Sequence, residues 1–227
     1  MLDITINKKS LSEQIYEDIF NDIFGLRIGL GENLINRELQ KRYGVSSTPV
    51  RDAINRLRQD GLLVDITRAG AKVVSFDCNG ALEQNEIISI LSWHALSLAA
   101  ERADVRMVTE QLRRVIALQR QHVESLDYFD DDHEYHLIFF RASGNSYFCE
   151  LYKRYNLLQE LMIRHASNLD APRRILAIQQ HEEICDAFQK GDTEEACELM
   201  KRHYKTAEDL ILREFRLPEG IQKEQDI

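Results

Sequence analysis

Chain-breaking residues are spread so unevenly along these 227 residues that they set the architecture before any motif is read. Six of the ten glycines (Gly25, Gly29, Gly31, Gly44, Gly61, Gly70) fall in the first 76 residues, and only Gly80, Gly144, Gly191 and Gly220 interrupt the remaining 151. Glycine inside a helix costs roughly 1 kcal/mol relative to alanine. A long stretch with so few glycines therefore suits long helices, whereas the first segment suits short elements joined by turns. Charge divides at the same place. Residues 1–76 hold 11 Lys+Arg against 10 Asp+Glu, while the rest holds 18 against 28. Two domains are predicted, residues 1–76 and 77–217, with a boundary near Asp77-Cys78-Asn79-Gly80 and a C-terminal tail over 218–227.

The same arithmetic excludes several classes. No run of about 18 apolar residues exists to form a membrane-spanning helix. The N-terminus, Met1 to Lys9, has neither the apolar core nor the cleavage site of a secretion signal. The four cysteines (Cys78, Cys149, Cys185, Cys197) form no CxxC pair, which reads as free thiols in a reducing compartment. A cytoplasmic protein with no membrane partner is expected.

The second segment reads as helices throughout. Leu91, Ala95, Leu98 and Arg102 follow one helical stripe, and Leu112, Val115, Ile116 and Gln119 resume it after Asp104. Asp127 to Ala142 is a third helix, stopped by Ser143-Gly144-Asn145. Tyr147 to His165 is a fourth, with Leu151, Tyr155, Leu158 and Met162 on one face. Pro172 suits the first turn of a fifth, which runs to Lys190 with Gly191 beyond its end. A sixth starts at Asp192 or Thr193 and stops before Pro218. The predicted fold class is mainly α: a small domain with a β wing, then an all-α antiparallel helical bundle.

The first segment has the texture of a DNA reader. Leu11, Ile15, Ile19 and Ile23 mark an opening helix, and Arg37 to Tyr43 a short second one that Gly44 breaks. Ser46-Ser47-Thr48-Pro49 then makes a helix start, with hydroxyl residues followed by a first-turn proline. The third helix buries Val50, Ala53, Ile54 and Leu57 and turns Arg51, Asn55, Arg56 and Arg58 outward. Two short helices joined by a tight turn make a helix-turn-helix. A strand over 62–66 turns through Thr67-Arg68-Ala69-Gly70 into residues 72–74, giving a two-stranded wing. From Arg37 to Lys72 eight basic residues face four acids, so a local positive face exists inside an acidic protein of net charge −9.

Residues 10–76 resemble the winged helix-turn-helix domain of the GntR superfamily of bacterial transcription regulators. The matching stretches are Arg37-Glu38-Leu39, Tyr43-Gly44-Val45-Ser46, Thr48-Pro49-Val50-Arg51, Ala53-Ile54, Leu57 and Gly61-Leu62-Leu63. The resemblance implies that Arg37, Thr48, Arg51 and the wing around Gly70 contact DNA. Ser46, Ser47, Asn55, Arg56 and Arg68 complete the candidate DNA-facing set. Ser47 stands where many relatives carry arginine. The implied partner is double-stranded operator DNA, pseudo-palindromic and bound by a homodimer.

In the second segment Asp132 and His136 are one helical turn apart, and His181 and His203 lie in two further helices. One carboxylate and three imidazoles from three helices make a candidate site for Zn, Ni, Mn or Fe; from spacing alone it is no more, because helix packing is not written in the spacing. Residues 80–215 look like the effector-binding FCD domain of the FadR branch of the same superfamily. The quoted landmarks are Asp132-His133-Glu134-Tyr135-His136, Ala142-Ser143-Gly144-Asn145, His181-Glu182-Glu183-Ile184, Ala187-Phe188, Gly191-Asp192 and Met200-Lys201-Arg202-His203. The resemblance implies metal ligation by Asp132, His136, His181 and His203, with zinc as the leading ion, and a small carboxylate metabolite as effector. The arginine that relatives often place in the first effector-domain helix is absent from Ile87 to Trp93. Trp93, Arg164 and Arg174 are the candidate effector contacts, although both arginines read slightly better as surface residues.

A ligand-responsive transcription factor is thus the leading function. The alternative from another class is a metal-dependent hydrolase, since a site of one Asp and three His with an open position can activate water.

Overall fold

The described residues, 9–167 and 170–215 of the computed structural model, fall into two units that part between Ser75 and Phe76. The expected tail, 218–227, lies outside the described residues.

In the first unit, helix α1 (Leu11–Phe24) starts at Ser10, whose hydroxyl accepts the Glu13 backbone N–H. Its stripe Ile15, Ile19 and Ile23 is buried, each such side chain stabilising the fold by roughly 1.5–3 kcal/mol. Strand β1 (Asn33–Ile35) leads directly into α2 (Asn36–Tyr43), which Gly44 ends in the left-handed region at φ 64°. Helix α3 (Ser47–Gln59) buries Val50, Ala53, Ile54 and Leu57, the four residues that the sequence pattern points inward. Strands β2 (Leu63–Val64) and β3 (Gly70–Val73) follow. All pairing is antiparallel in the order β1-β3-β2, with Asn33 opposite Lys72 and Leu63 opposite Val73.

Two wing expectations are corrected. The sheet has three strands, because the three-residue β1 is too short to show an alternation in sequence yet pairs along β3. Strand β2 also stops at Val64 instead of reaching Ile66. Asp65 adopts φ 51°, a left-handed conformation that cannot continue a strand.

The second unit holds six helices among the described residues: α4 (Cys78–Arg102), α5 (Val105–Gln121), α6 (Asp127–Ala142), α7 (Ser146–Ser167), α8 (Ala171–Gln189) and α9 (Thr193–Glu214). Helix α4 packs on α6, α7 and α9; α5 packs on α6 and α8; α8 packs on α9. Asp77, Asp104, Asp170 and Asp192 each accept a backbone N–H at a helix start, contributing about 1 kcal/mol apiece. Phe129, Tyr135, Phe139, Phe140, Tyr152 and Phe188 form the aromatic part of the core.

Here too the sequence reading needs correction. Gly80 does not interrupt the chain; it lies in the first turn of α4 and gives its N–H to Asp77 at 2.7 Å. The buried face of α7 is Tyr152, Asn156, Gln159 and Met162, rotated from the predicted stripe, and Leu151 is exposed. Two amides, Asn156 and Gln159, stand on that face, where both line a cavity.

Candidate functional site

The first unit presents an exposed, polar helix start. Ser46 is the N-cap of α3 with extended backbone, but its side chain makes no capping hydrogen bond. The hydroxyls of Ser46, Ser47 and Thr48 lie on exposed residues at the positive end of the helix. Arg51 and Asn55, one turn apart, are exposed on α3, and Arg37 is exposed in the first turn of α2. Arg37, Arg51 and Arg68 have no hydrogen-bonded or ion-paired side-chain partner among the described residues. Arg42, by contrast, is held by Asp18 and Asp22 at 2.6 and 2.7 Å.

Two predicted contacts have another placement. The Arg56 guanidinium lies over the Tyr16 ring at 4.1 Å, which ties α3 to α1, while the residue stays exposed. Gly70 is buried in β3, where an added Cβ would come within 1.9 Å of the Leu34 carbonyl oxygen. Glycine is required there by sheet packing, so Gly70 presents no contact surface. The exposed wing tip is Thr67-Arg68-Ala69. Thr67 Oγ1 accepts the Ala69 N–H at 3.1 Å, and Asn36 Nδ2 donates to the Arg68 carbonyl at 2.9 Å.

In the second unit His136 of α6, His181 of α8 and His203 of α9 converge. A ring nitrogen of each lies within 4.8 Å of the others, and all three residues are buried. The neighbouring groups set the tautomers. His181 Nδ1 is 3.0 Å from Gln119 Oε1, and His203 Nδ1 is 2.9 Å from Gln180 Oε1. The Gln119 amide nitrogen faces the Asp132 carboxylate at 3.4 Å, and that of Gln180 faces Thr206 at 2.9 Å. Each amide oxygen is thereby turned to its histidine, which donates from Nδ1 and keeps a lone pair on Nε2. Second-sphere acceptors of this kind orient metal-binding imidazoles.

His181 Nε2 is fully buried with no hydrogen-bond partner. An orphaned polar atom in that position costs about 1–3 kcal/mol. Burial holds the histidines in the neutral form, pushing His136 down to about 3 and His181 and His203 well below the ordinary value. Asp132 lies one turn before His136, with Oδ1 3.8 Å from His181 Nε2 and 3.2 Å from the Tyr128 hydroxyl. Burial raises its carboxyl to about 6. Three neutral nitrogens with lone pairs and an adjacent carboxylate fit a divalent cation. Asp132 is the loosest member of the set, standing outside the tight histidine trio.

Asp132, His136 and His203 form one part of the wall of a cavity of about 70 Å³. Tyr204 also lines it, and its hydroxyl bridges Ser92 at 2.8 Å and His136 Nδ1 at 3.5 Å. Trp93 is not among the lining residues. It stacks on His94 and receives Lys201 over its ring, so the structure does not bring this predicted effector contact to the cavity.

Neither Arg164 nor Arg174 is a surface residue. Arg164 is 5% exposed, pairs with Asp130 and Glu160 at 2.6 Å, and is not part of the cavity lining. Arg174 is 1% exposed and lines the cavity, as does its neighbour Arg173, a residue that sequence reasoning missed. The one signal for Arg173 was position, a second arginine directly after Pro172 at a helix start. Gln119 and Gln180 were also missed as supports, because a glutamine on a helix face has no distinguishing pattern.

Comparisons with known proteins agree with this division. Residues 11–73 match the family profile described as bacterial regulatory proteins, gntR family, and residues 86–206 that of the FCD domain. The Nta operon transcriptional regulator of Aminobacter aminovorans is 28% identical over 188 residues, spanning 82% of this chain and 87% of that protein. The solved structure of McbR/YncC from E. coli superposes with a TM-score of 0.71 at 18% identity, covering 92% of this chain and 100% of that one. A solved metal-free FCD domain of a transcriptional regulator gives a TM-score of 0.51 at 23% identity, covering 62% of this chain and 96% of that one.

Proposed function

The chain belongs to the GntR family of bacterial transcription regulators, in the FadR-type branch whose second domain is FCD, and from that premise we propose that a small effector bound at the histidine cavity controls its affinity for operator DNA. The observation that carries this reading is the trio His136, His181 and His203, drawn from three helices, two of whose members, His136 and His203, line a cavity. Residues that only filled a core would not leave His181 Nε2 without a partner.

The residues that would hold a divalent ion are His136, His181 and His203, with Asp132 as fourth ligand. Zinc suits this donor set best, and nickel, manganese or iron are the other candidates. When bound, the ion supplies a Lewis-acidic anchor for an anionic group of the effector. The relative described as a metal-free FCD domain supports a metal-dependent reading of this domain. A hydrolase is not favoured, since the curated relative and the solved neighbour of the FCD domain are transcriptional regulators.

In the first unit Arg51 reads a base edge, guanine being the commonest partner of arginine in the major groove. Arg37, with the hydroxyls of Ser46, Ser47 and Thr48 at the start of α3, holds phosphates. Asn55 and Arg68 add contacts from the helix and the wing. A cytoplasmic homodimer on a pseudo-palindromic operator supplies two such units. Coupling between sites is typically about 1–3 kcal/mol, because an effector shifts DNA affinity only by its preference for one arrangement.

The test is fluorescence anisotropy on the promoter DNA beside the chain's own gene, with zinc-loaded and chelator-treated protein and a panel of small carboxylates. Specific binding that one carboxylate shifts, and that chelation makes unresponsive, is the expected result. Binding that ignores both chelator and carboxylates would overturn control by this site.

A further inference from the structure

The cavity has a second polar end, opened by the first turn of α8, where Arg173 and Arg174 follow the N-cap Asp170 and Pro172. Cations in a first helical turn face the positive end of the helix dipole and are disfavoured there. Arg174 is withdrawn from solvent and Arg173 partly so, neither with a direct ion-pair partner. Arg174 donates from Nη1 to the carbonyls of Val123 and Ser125 at 3.0 and 2.7 Å, and its guanidinium lies 4.6 Å from the Phe129 ring centre. Its Nε and Nη2 are buried and have no partner. That pair forms the side-on edge of a guanidinium, the edge that grips a carboxylate with two parallel hydrogen bonds. Arg173 Nε and Nη1 are likewise buried without a partner, and no side chain among the described residues hydrogen-bonds or ion-pairs with it. The Ser167 hydroxyl is a further buried, unpartnered group on the same lining.

No carboxylate among the described residues makes a direct ion pair with Arg173 or Arg174. Glu160 is taken by Arg164 at 2.6 Å, and Asp132, whose charge reaches Arg173 as well as the histidines, hydrogen-bonds to neither Arg173 nor Arg174. A structural clamp on the loop before α6 explains one nitrogen of Arg174 and nothing of Arg173. We propose that Arg173 and Arg174 form an anion subsite distinct from the histidines, and that the effector is therefore a small dicarboxylate, one carboxylate at the histidine end and the other on the arginine pair. The inference rests on the reading of this cavity as the effector site and names the chemistry that site selects. The cavity of about 70 Å³ restricts the ligand to a short chain.

Isothermal titration of the full-length, zinc-loaded chain tests this with succinate, butyrate and inorganic phosphate as probes. Succinate should bind at least about tenfold more tightly than butyrate, the factor expected of one charge-assisted hydrogen-bonded contact. Arg173→Gln should erase that preference without changing zinc content, and Arg173→Lys should restore part of it. Arg173 makes no side-chain hydrogen bond within the fold, so its substitution should not lower the melting temperature of the ligand-free chain. Butyrate binding as tightly as succinate, phosphate outcompeting it, or an intact preference in Arg173→Gln would each overturn the subsite, as would failure of succinate, malonate and glutarate to bind. Zinc content of the same samples separates the two claims. Arg173-dependent succinate binding in a chain that takes up no zinc would overturn the metal reading and leave the arginine subsite standing.

Discussion

The outward face of α3 and the cavity among α6, α7, α8 and α9 both present polar groups that the fold does not use, but at different cost. Arg51, Asn55 and the hydroxyls of residues 46–48 are hydrated, so leaving them without protein partners costs the folded state almost nothing. His181 Nε2, Arg173 Nε and Nη1, and Arg174 Nε and Nη2 are cut off from solvent, where each unpaired group opposes folding. An exposed basic face is common on proteins and gains meaning from its shape, here a helix start between a turn and a wing. A set of buried orphans is uncommon and gains meaning from its cost. DNA reading is therefore the part of this molecule inferred from geometry, and ligand sensing the part inferred from energetics.

Substitutions at the two regions should respond in different ways. The largest effect belongs to the buried set. His181→Ala combined with His203→Ala should abolish stoichiometric metal by elemental analysis and remove the response of DNA affinity to chelator. A double variant that still copurifies with metal would dissolve the contrast, since the histidines would then be core residues like any other. Next in size, Arg51→Ala should weaken operator binding by about 1–3 kcal/mol and relax specificity at one position of each half-site. Equal losses on operator and random DNA would move α3 out of the groove.

The third prediction uses acidity. Metal ligands must be deprotonated. Burial leaves the histidines neutral far below their usual range, with His136 down to about 3, whereas Asp132 is raised to about 6. Zinc affinity should therefore be flat above about pH 6 and fall about tenfold per unit below it, the slope of one proton. A competition titration giving a steeper fall that begins near the ordinary histidine value would show imidazoles exposed to water. Smallest is Arg37→Ala. It should weaken all DNA sequences evenly and lower the slope of log affinity against log salt by about 1, because a phosphate contact carries no base information. A sequence-dependent loss would place Arg37 at a base edge instead.

Most of the helix-turn-helix was legible without coordinates. The turn at Gly44, the start at Ser46 and the inward residues Val50, Ala53, Ile54 and Leu57 are local features, and local backbone preferences decide them. The wing was legible only in part, because β1 owes its existence to pairing with β3 across about forty residues of chain. In the helical unit the six helices were legible from breakers and caps. The face that α7 buries was not, since a rule that follows leucines fails where Asn156 and Gln159 line a cavity. Arg56 and Gly70 show the same limit on a smaller scale. Their residue types suit DNA contact, but Arg56 packs over Tyr16 and Gly70 is pinned against Leu34.

What the amino-acid order alone determined is thus the set of elements, their boundaries to within a few residues, the family, and the residue types able to hold a metal. Helix propensity, capping and turn chemistry act over a few neighbouring residues, so a linear text records them. Tertiary structure decided the rest: His136, His181 and His203 meet while Trp93 is left outside, Arg164 is neutralised, and Arg173 and Arg174 keep buried guanidinium nitrogens without a direct partner. Those outcomes depend on how helices distant in sequence are rotated and packed against one another. That rotation is set by the summed burial of the whole unit, and no single residue records it.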